Sequence, residues 1–198
     1  ENLEFEEEAV CKPSGAYAAS KYEAERAAFE ILAGGGINLK ILRPSTIVGE
    51  GDPGNVSRLI RAIDRRKFFW LGRGENLKSL VYKQDVARAC AAVLQNDTGG
   101  EESFEIYNVT AEPRKMHAIV EEIEKALGKT VPKLYVPSGA ARFGLRWGAK
   151  TGSKKIVKLR ETIEKWLSDD VFSGEKIKAK LKFFPETEAL EAVRREVL

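Results

Sequence analysis

Pro13-Ser14-Gly15-Ala16-Tyr17-Ala18-Ala19-Ser20-Lys21-Tyr22-Glu23-Ala24-Glu25 is a turn followed by a run of strong helix formers. The run continues to Leu32 and meets Gly34-Gly35-Gly36, so a helix of about four turns is predicted over Ala16 to Leu32. Tyr17 and Lys21 stand four apart, which puts both side chains on one face, one turn from each other. A tyrosine hydroxyl ordinarily titrates near about 10, and an ammonium fixed beside it favours the phenolate. Such a pair can give or take a proton nearer neutral pH. The spacing alone is weak evidence, because with lysine at roughly one position in ten a Tyr-x-x-x-Lys arises readily by chance. The surrounding residues must supply the specificity.

Upstream, the acidic stretch Glu4 to Glu8 reads as extended or loop. Downstream, Leu39 to Leu42 is a short apolar strand ending at Arg43-Pro44, and Ile47-Val48 runs into the turn-rich Gly49 to Gly54. Val56 to Ile63 has helical spacing, with Leu59, Ile60 and Ile63 on one side and Arg58, Arg61, Arg65 and Arg66 around the rest. Phe68 to Leu71 and Leu77 to Tyr82 read as two strands of a hairpin around Gly72-Arg73-Gly74, and Asp85 is placed to cap a helix from Val86 to Leu94. Phe104 to Val109 alternates as a strand, and Arg114 to Leu127 is an amphipathic helix closed by Gly128. Lys133 to Val136 reads as a strand, Ala140 to Trp147 and Lys155 to Leu167 as helices, and a last helix starts at Thr187. Strands alternating with helices indicate an α/β fold.

Composition narrows the function classes. The 198 residues are 43% hydrophobic and 32% charged, and no apolar stretch approaches the roughly 20 residues of a membrane span. A net charge of +3 is too small to imply nucleic acid or an acidic membrane as the default partner. Cys11 and Cys90 fit reduced thiols of a cytoplasmic protein, the first in a loop and the second on the apolar face of a helix. The single histidine, His117, argues against a histidine-based metal cluster or a hydrolase triad, so no metal is expected. The chain opens at Glu1 with no initiator methionine and no secretory signal, which reads as a fragment or a processed product.

The tyrosine-lysine helix, the strand Leu39-Lys40-Ile41-Leu42-Arg43-Pro44 and the following Val48-Gly49-Glu50-Gly51-Asp52 form an ordered set. It resembles the extended short-chain dehydrogenase/reductases, the NAD-dependent epimerase/dehydratase family. The resemblance continues through Gly72 to Ala87, through Phe104 to Val109, and through Lys180-Leu181-Lys182-Phe183-Phe184-Pro185-Glu186-Thr187. It implies the C-terminal part of a Rossmann-type parallel sheet fold, residues 1–48 with 103–111. A small α/β substrate-binding subdomain, residues 49–102 with 112–198, would complete it.

By the same resemblance Tyr17 is the catalytic acid/base, and Lys21 lowers its pKa and holds the nicotinamide ribose. Pro44 and Ile47 would meet the cofactor, NAD or NADP in the intact protein and neither on this portion alone. Thr46 and Lys78 would meet the substrate, a small molecule of the nucleotide-sugar class. The implied enzyme is an epimerase, dehydratase or reductase working by tyrosine-assisted hydride transfer, cytoplasmic and homodimeric, with no nucleic-acid or membrane partner. The chain departs from the family pattern with Lys78 for arginine, Thr46 for asparagine, and Ser79 and Gln84 for aspartate. Lysine in place of arginine gives up the bidentate fork. The glycine-rich cofactor turn and the Ser/Thr strand of the family have no counterpart upstream of Tyr17. The alternative is a non-catalytic remnant acting as a binding or oligomerisation module.

Two other features invite a functional reading. Gly49-Glu50-Gly51-Asp52-Pro53-Gly54 satisfies G-x-G-x-x-G, yet Pro53 removes an amide and Glu50 and Asp52 repel phosphate, so it is read as a decoy. The basic segment Arg142 to Lys165 is read as a solvated helix face.

Overall fold

The parallel pairing of two apolar runs far apart in sequence is the frame of the molecule. A computed structural model describes residues 4–32, 35–96, 103–132, 135–136 and 166–198. The helix α1 (Ala16–Leu32) and strand β1 (Leu39–Pro44) stand where the spacing places them. β1 lies parallel to β6 (Phe104–Val109), with Leu39 opposite Phe104 and Pro44 opposite Val109. A parallel pair needs a long crossover, and here it includes α2 (Asn55–Asp64), β3 (Trp70–Leu71), β4 (Leu77–Lys78), β5 (Leu80–Tyr82) and α3 (Lys83–Gln95). Within it β2 (Thr46–Val48) pairs parallel with β5. β7 (Arg114–Lys115) then leads into α4 (Met116–Leu127), followed by β8 (Tyr135–Val136), α5 (Glu175–Leu181) and α6 (Ala189–Val197).

Several expectations need correction. Phe68 to Leu71 and Leu77 to Tyr82 form no hairpin: β3 pairs parallel with β8, and β4 pairs antiparallel with β7. The intervening Gly74 docks on the start of α4, its carbonyl accepting the His117 amide at 2.9 Å. A Cβ on Gly74 would come within 2.7 Å of the Trp70 ring at a φ of +69°, so this approach requires glycine. The run Leu77 to Tyr82 breaks at Ser79, whose amide donates to the Asp170 carbonyl at 2.8 Å and whose hydroxyl accepts the Phe172 amide at 3.1 Å. Arg114 and Lys115 belong to β7 rather than α4, because the Met116 amide is taken by the Asn76 carbonyl at 2.9 Å. The last helix starts at Ala189, two residues later than its sequence suggests. Cys90 is exposed, since its neighbour Ala89 is the α3 residue that turns inward. Gly34, Lys133, the helix expected over Ala140 to Trp147 and nearly all of that expected over Lys155 to Leu167 lie outside the described residues.

Two apolar cores hold these elements. The larger gathers Val56, Leu59 and Ile63 of α2, Ile119, Val120 and Ile123 of α4, and Ala189, Ala192 and Val193 of α6. The second joins Val81, Ala89, Tyr107 and Val109 to Ile177 and Phe183. Amphipathic helix spacing explains the first, whereas the second forms only once β5 and β6 are brought together. α4 ends as expected at Gly128, left-handed with a φ of +61°.

Asp85 is no helix cap. α3 begins at Lys83, three residues earlier than expected, and Asp85 is 1% exposed, accepting the amides of Glu186 and Thr187, each at 3.0 Å. Arg88 adds a third bond at 2.7 Å. A buried carboxylate thereby anchors the chain just before α6. Asp85→Ala leaves two amides unpaired and should cost about 3 kcal/mol, read as a lowered urea midpoint.

The last turn of α6 packs on the loop after β2. Glu196 Oε2 accepts the Gly49 amide at 3.3 Å, while its Oε1 is buried without a partner. Burial, with the charge of Asp52 beside it, raises this carboxyl from 4.5 to about 7, against the Gly49 amide and Arg61. A carboxyl whose folded pKa is raised contributes stability at acid pH and loses it as pH climbs from about 4.5 through about 7. Urea midpoints recorded across that window should fall with rising pH in the parent and stay flatter in Glu196→Gln.

Candidate functional site

Gly15, at a φ of +85°, turns the chain into α1, and its carbonyl accepts the Ala19 amide at 3.0 Å. The first turn exposes Tyr17, 77% accessible, and Lys21 Nζ stands 5.7 Å from the centroid of its ring. The two side chains therefore share one face of α1 and both look outward. Ser20 donates to the Tyr17 carbonyl at 2.9 Å and stays within the helix. Among the described residues no carboxylate pairs with Lys21.

One turn further along, Glu25 meets Arg43 at the end of β1. The Arg43 Nε and Nη2 atoms donate to the Glu25 carboxylate at 3.0 Å and 2.6 Å, a two-pronged contact. Arg43 Nη1 donates to the Glu7 carbonyl at 3.0 Å. Hydrogen bonding to Glu25 pushes the guanidinium pKa up, against partial burial. The Glu7 side chain is buried and accepts the Asn108 amide at 2.7 Å, while Asn108 Nδ2 donates to the Phe5 carbonyl at 3.1 Å. The acidic opening stretch is thus stitched to the end of β6. Phe5 also forms a parallel bridge with Phe172.

These contacts place the other expected residues. Pro44 closes β1 and lines a cavity of about 550 Å³ with Phe5, Cys11, Arg43, Ser45 and Asn108. The Ser45 hydroxyl is buried there without a partner. Thr46 and Ile47 follow on β2, both exposed, with Thr46 opposite Leu80. The structure thus brings Pro44, Thr46 and Ile47 to one strand junction, and the Arg43–Glu25 contact ties that junction to the helix bearing Tyr17 and Lys21. Lys78 lies apart on β4, with its Nζ 2.6 Å from Asp170 and its stem largely buried.

Sequence reasoning missed Arg43, Glu25 and Glu7 as organisers of the site. A signal was present: Glu25 continues the four-residue spacing of Tyr17 and Lys21, and Arg43 is the last charge before Pro44. The decoy reading of Gly49 to Gly54 gains support, because the Gly49 amide is taken by Glu196 and the Gly54 amide by Asp52 at 2.9 Å. Both amides are spent on carboxylates. Among the described residues, no three His, Cys, Asp or Glu side chains could hold a metal, and no helix is long and apolar enough to cross a membrane. A second cavity, of about 790 Å³, lies between Trp70, Arg73, His117 and Tyr135.

Residues 1–110 match the profile of the NAD dependent epimerase/dehydratase family. The chain is 34% identical over 135 residues to an N-acetyl-alpha-D-glucosaminyl-diphospho-ditrans,octacis-undecaprenol 4-epimerase of Escherichia coli O157:H7, a match covering 67% of this chain and 40% of that protein. Among solved structures, UDP-glucuronic acid 4-epimerase from Bacillus cereus in complex with NAD superposes with a TM-score of 0.72 at 17% identity, over 100% of this chain and 56% of that one. dTDP-glucose 4,6-dehydratase from Bacillus anthracis str. Ames in complex with NAD gives 0.69 at 21% identity, over 99% of this chain and 55% of that one. Both likenesses establish the Rossmann-like fold, and the chain spans a little over half the length of these relatives or less. On this profile match over residues 1–110, the chain belongs to the NAD dependent epimerase/dehydratase family.

Proposed function

We propose that in the intact enzyme Tyr17 is the acid/base of an NAD(P)-dependent epimerisation, dehydration or reduction of a diphosphate-linked sugar. One observation carries this reading: Tyr17 and Lys21 share an exposed face of α1 that the Arg43–Glu25 contact holds beside the end of β1. Tyr17 would take the proton from a sugar hydroxyl, and Lys21 would donate to the ribose hydroxyls of the cofactor. Bound NAD(P) supplies the acceptor for the hydride that leaves the same carbon.

The residues present suit the nicotinamide end of that cofactor. The Lys21 ammonium has no carboxylate among the described residues, and the orphaned Ser45 hydroxyl beside Pro44 offers a polar contact in a cavity. Pro44 and Ile47 would flank the nicotinamide, and Thr46 would meet the sugar. Lys78 would reach the diphosphate only by leaving Asp170, so its contribution is a point charge rather than a fork. The division into a cofactor-side part, residues 1–48 with 103–111, and a substrate-side remainder is part of the same proposal. So are a cytoplasmic location and a homodimer.

The carrier of the sugar is a nucleoside in the names of the solved relatives and a polyprenol in that of the Escherichia coli relative. The higher identity of the latter, 34% against 17% and 21%, favours the lipid-carried sugar.

Tyr17→Phe in the intact enzyme should lower turnover by about a hundredfold or more while leaving cofactor affinity nearly unchanged, since only the transferable proton is lost. Steady-state rates with a cofactor titration read both, and unchanged turnover would remove Tyr17 from the mechanism. Arg43 is a positioning residue. A double-mutant cycle of Arg43→Ala with Glu25→Ala should show a coupling of about 1 to 2 kcal/mol in urea unfolding. Arg43→Lys, which keeps the charge but not the fork, should recover only part of it.

A further inference from the structure

We propose that the outer face at the C-terminal end of α2, with the turn that follows it, docks on an anionic membrane surface. The inference rests on the lipid-carried substrate proposed above and names the surface that would bring the enzyme to it.

α2 is sharply two-sided. Val56, Leu59 and Ile63 are buried, whereas Arg58, Arg61 and Arg65 follow one another at three- and four-residue intervals along the exposed side. Arg65, the residue capping α2, and then Arg66 and Lys67 carry the stripe past the helix end, making five cations in ten residues. Asp64 is the only acid from Asn55 to Trp70, and Lys129 already neutralises it at 2.6 Å. Among the described residues no carboxylate forms an ion pair with Arg58, Arg65, Arg66 or Lys67. Arg61 donates to the Ser57 hydroxyl at 2.9 Å.

The turn that presents these charges is pinned. Arg66 N–H donates to the Ile63 carbonyl at 2.9 Å and Lys67 N–H to the Ala62 carbonyl at 2.8 Å. Arg66 takes a φ of +55°, a left-handed conformation that glycine would adopt at less cost. An arginine there trades local stability for a charge at the tip. Immediately beyond, Phe68 packs edge-on against Trp70 at 5.2 Å, and Phe69, between them in the chain, is 50% exposed next to the cations. A phenyl ring flanked by arginine and lysine suits the headgroup boundary of a bilayer, the ring entering the interface while the cations meet lipid phosphates. The whole-chain balance of +3 averages this local field away.

The patch follows the expected substrate-side strand along the chain. Thr46 and Ile47 stand on β2, one loop before α2, and a helix of this length carries the patch about 15 Å from that loop. A sugar whose diphosphate sits at headgroup level would meet the site while its carrier stays in the lipid.

Sedimentation of the 198-residue chain with vesicles of phosphatidylcholine, with and without phosphatidylglycerol, tests this surface. Binding should require phosphatidylglycerol and weaken with added salt. The triple reversal Arg65→Glu, Arg66→Glu and Lys67→Glu should weaken it roughly a hundredfold, taking roughly fivefold per cation. Phe69→Ser should weaken it severalfold with the salt dependence kept. Lys176→Glu with Lys178→Glu, a reversal within α5, should leave binding unchanged, and circular dichroism would show that each variant is folded. Equal binding to both vesicle types overturns the proposal, as does a triple variant that sediments like the parent. Preference for a single-stranded RNA that phosphatidylglycerol vesicles cannot displace would also overturn it. Vesicle binding needs no turnover. Its failure would leave the sugar chemistry standing, while an intact enzyme that binds vesicles yet turns over no diphosphate-linked sugar would sink the chemistry and spare the surface.

Discussion

The fork between Arg43 and Glu25 is the contact on which the site depends. α1 buries none of its residues fully, so apolar packing alone holds it loosely. A half-buried guanidinium, reaching the Glu25 carboxylate with two nitrogens and the Glu7 carbonyl with a third, supplies direction as well as attraction. It fixes how far α1 stands from the end of β1, and so where Tyr17 and Lys21 stand relative to Pro44. A substitute of lesser geometry serves this partly buried position less well, because it cannot reach both the carboxylate and the carbonyl with three nitrogens.

A second theme is the use of carboxylates to satisfy backbone amides at the junctions between elements. Glu7 takes the amide of Asn108, Asp85 takes those of Glu186 and Thr187, Glu124 takes that of Val131, and Glu196 takes that of Gly49. Each joins segments that no ladder connects. The described strands are short, six residues at most, so the sheet pairs alone cannot hold the loops. Charged acceptors give these amides stronger bonds than a neutral carbonyl would. Glu196 carries the cost of this arrangement, since its second oxygen is buried without a donor and its proton is correspondingly hard to remove.

The family's frame and the chain's own surface can be separated. The tyrosine-lysine helix, β1 and β6 lie within the residues that match the family profile. The stripe of cations along α2 lies there too, yet it follows from which residues face away from the core rather than from the proton chemistry. One side of α2 closes the larger core, while the other carries cations of which Arg58, Arg65, Arg66 and Lys67 form no ion pair among the described residues. A helix can serve both ends because its two faces are independent as long as the turn beyond it is rigid.

Local pattern in the sequence determined α1, β1, β6 and the amphipathic helices α2 and α4, because each is specified by spacing that a single segment carries. It also determined that Tyr17 and Lys21 share a face, since four residues make one helical turn. Partnership was decided elsewhere. That β3 joins β8 rather than β4, that Ser79 splits a continuous apolar run, and that Asp85 holds the approach to α6 rather than its own helix all depend on segments distant in sequence. No short window encodes the partner of an amide or a guanidinium. Only the folded chain, by burying those groups and requiring each to be satisfied, selected Glu25 for Arg43 and so set the geometry of the site.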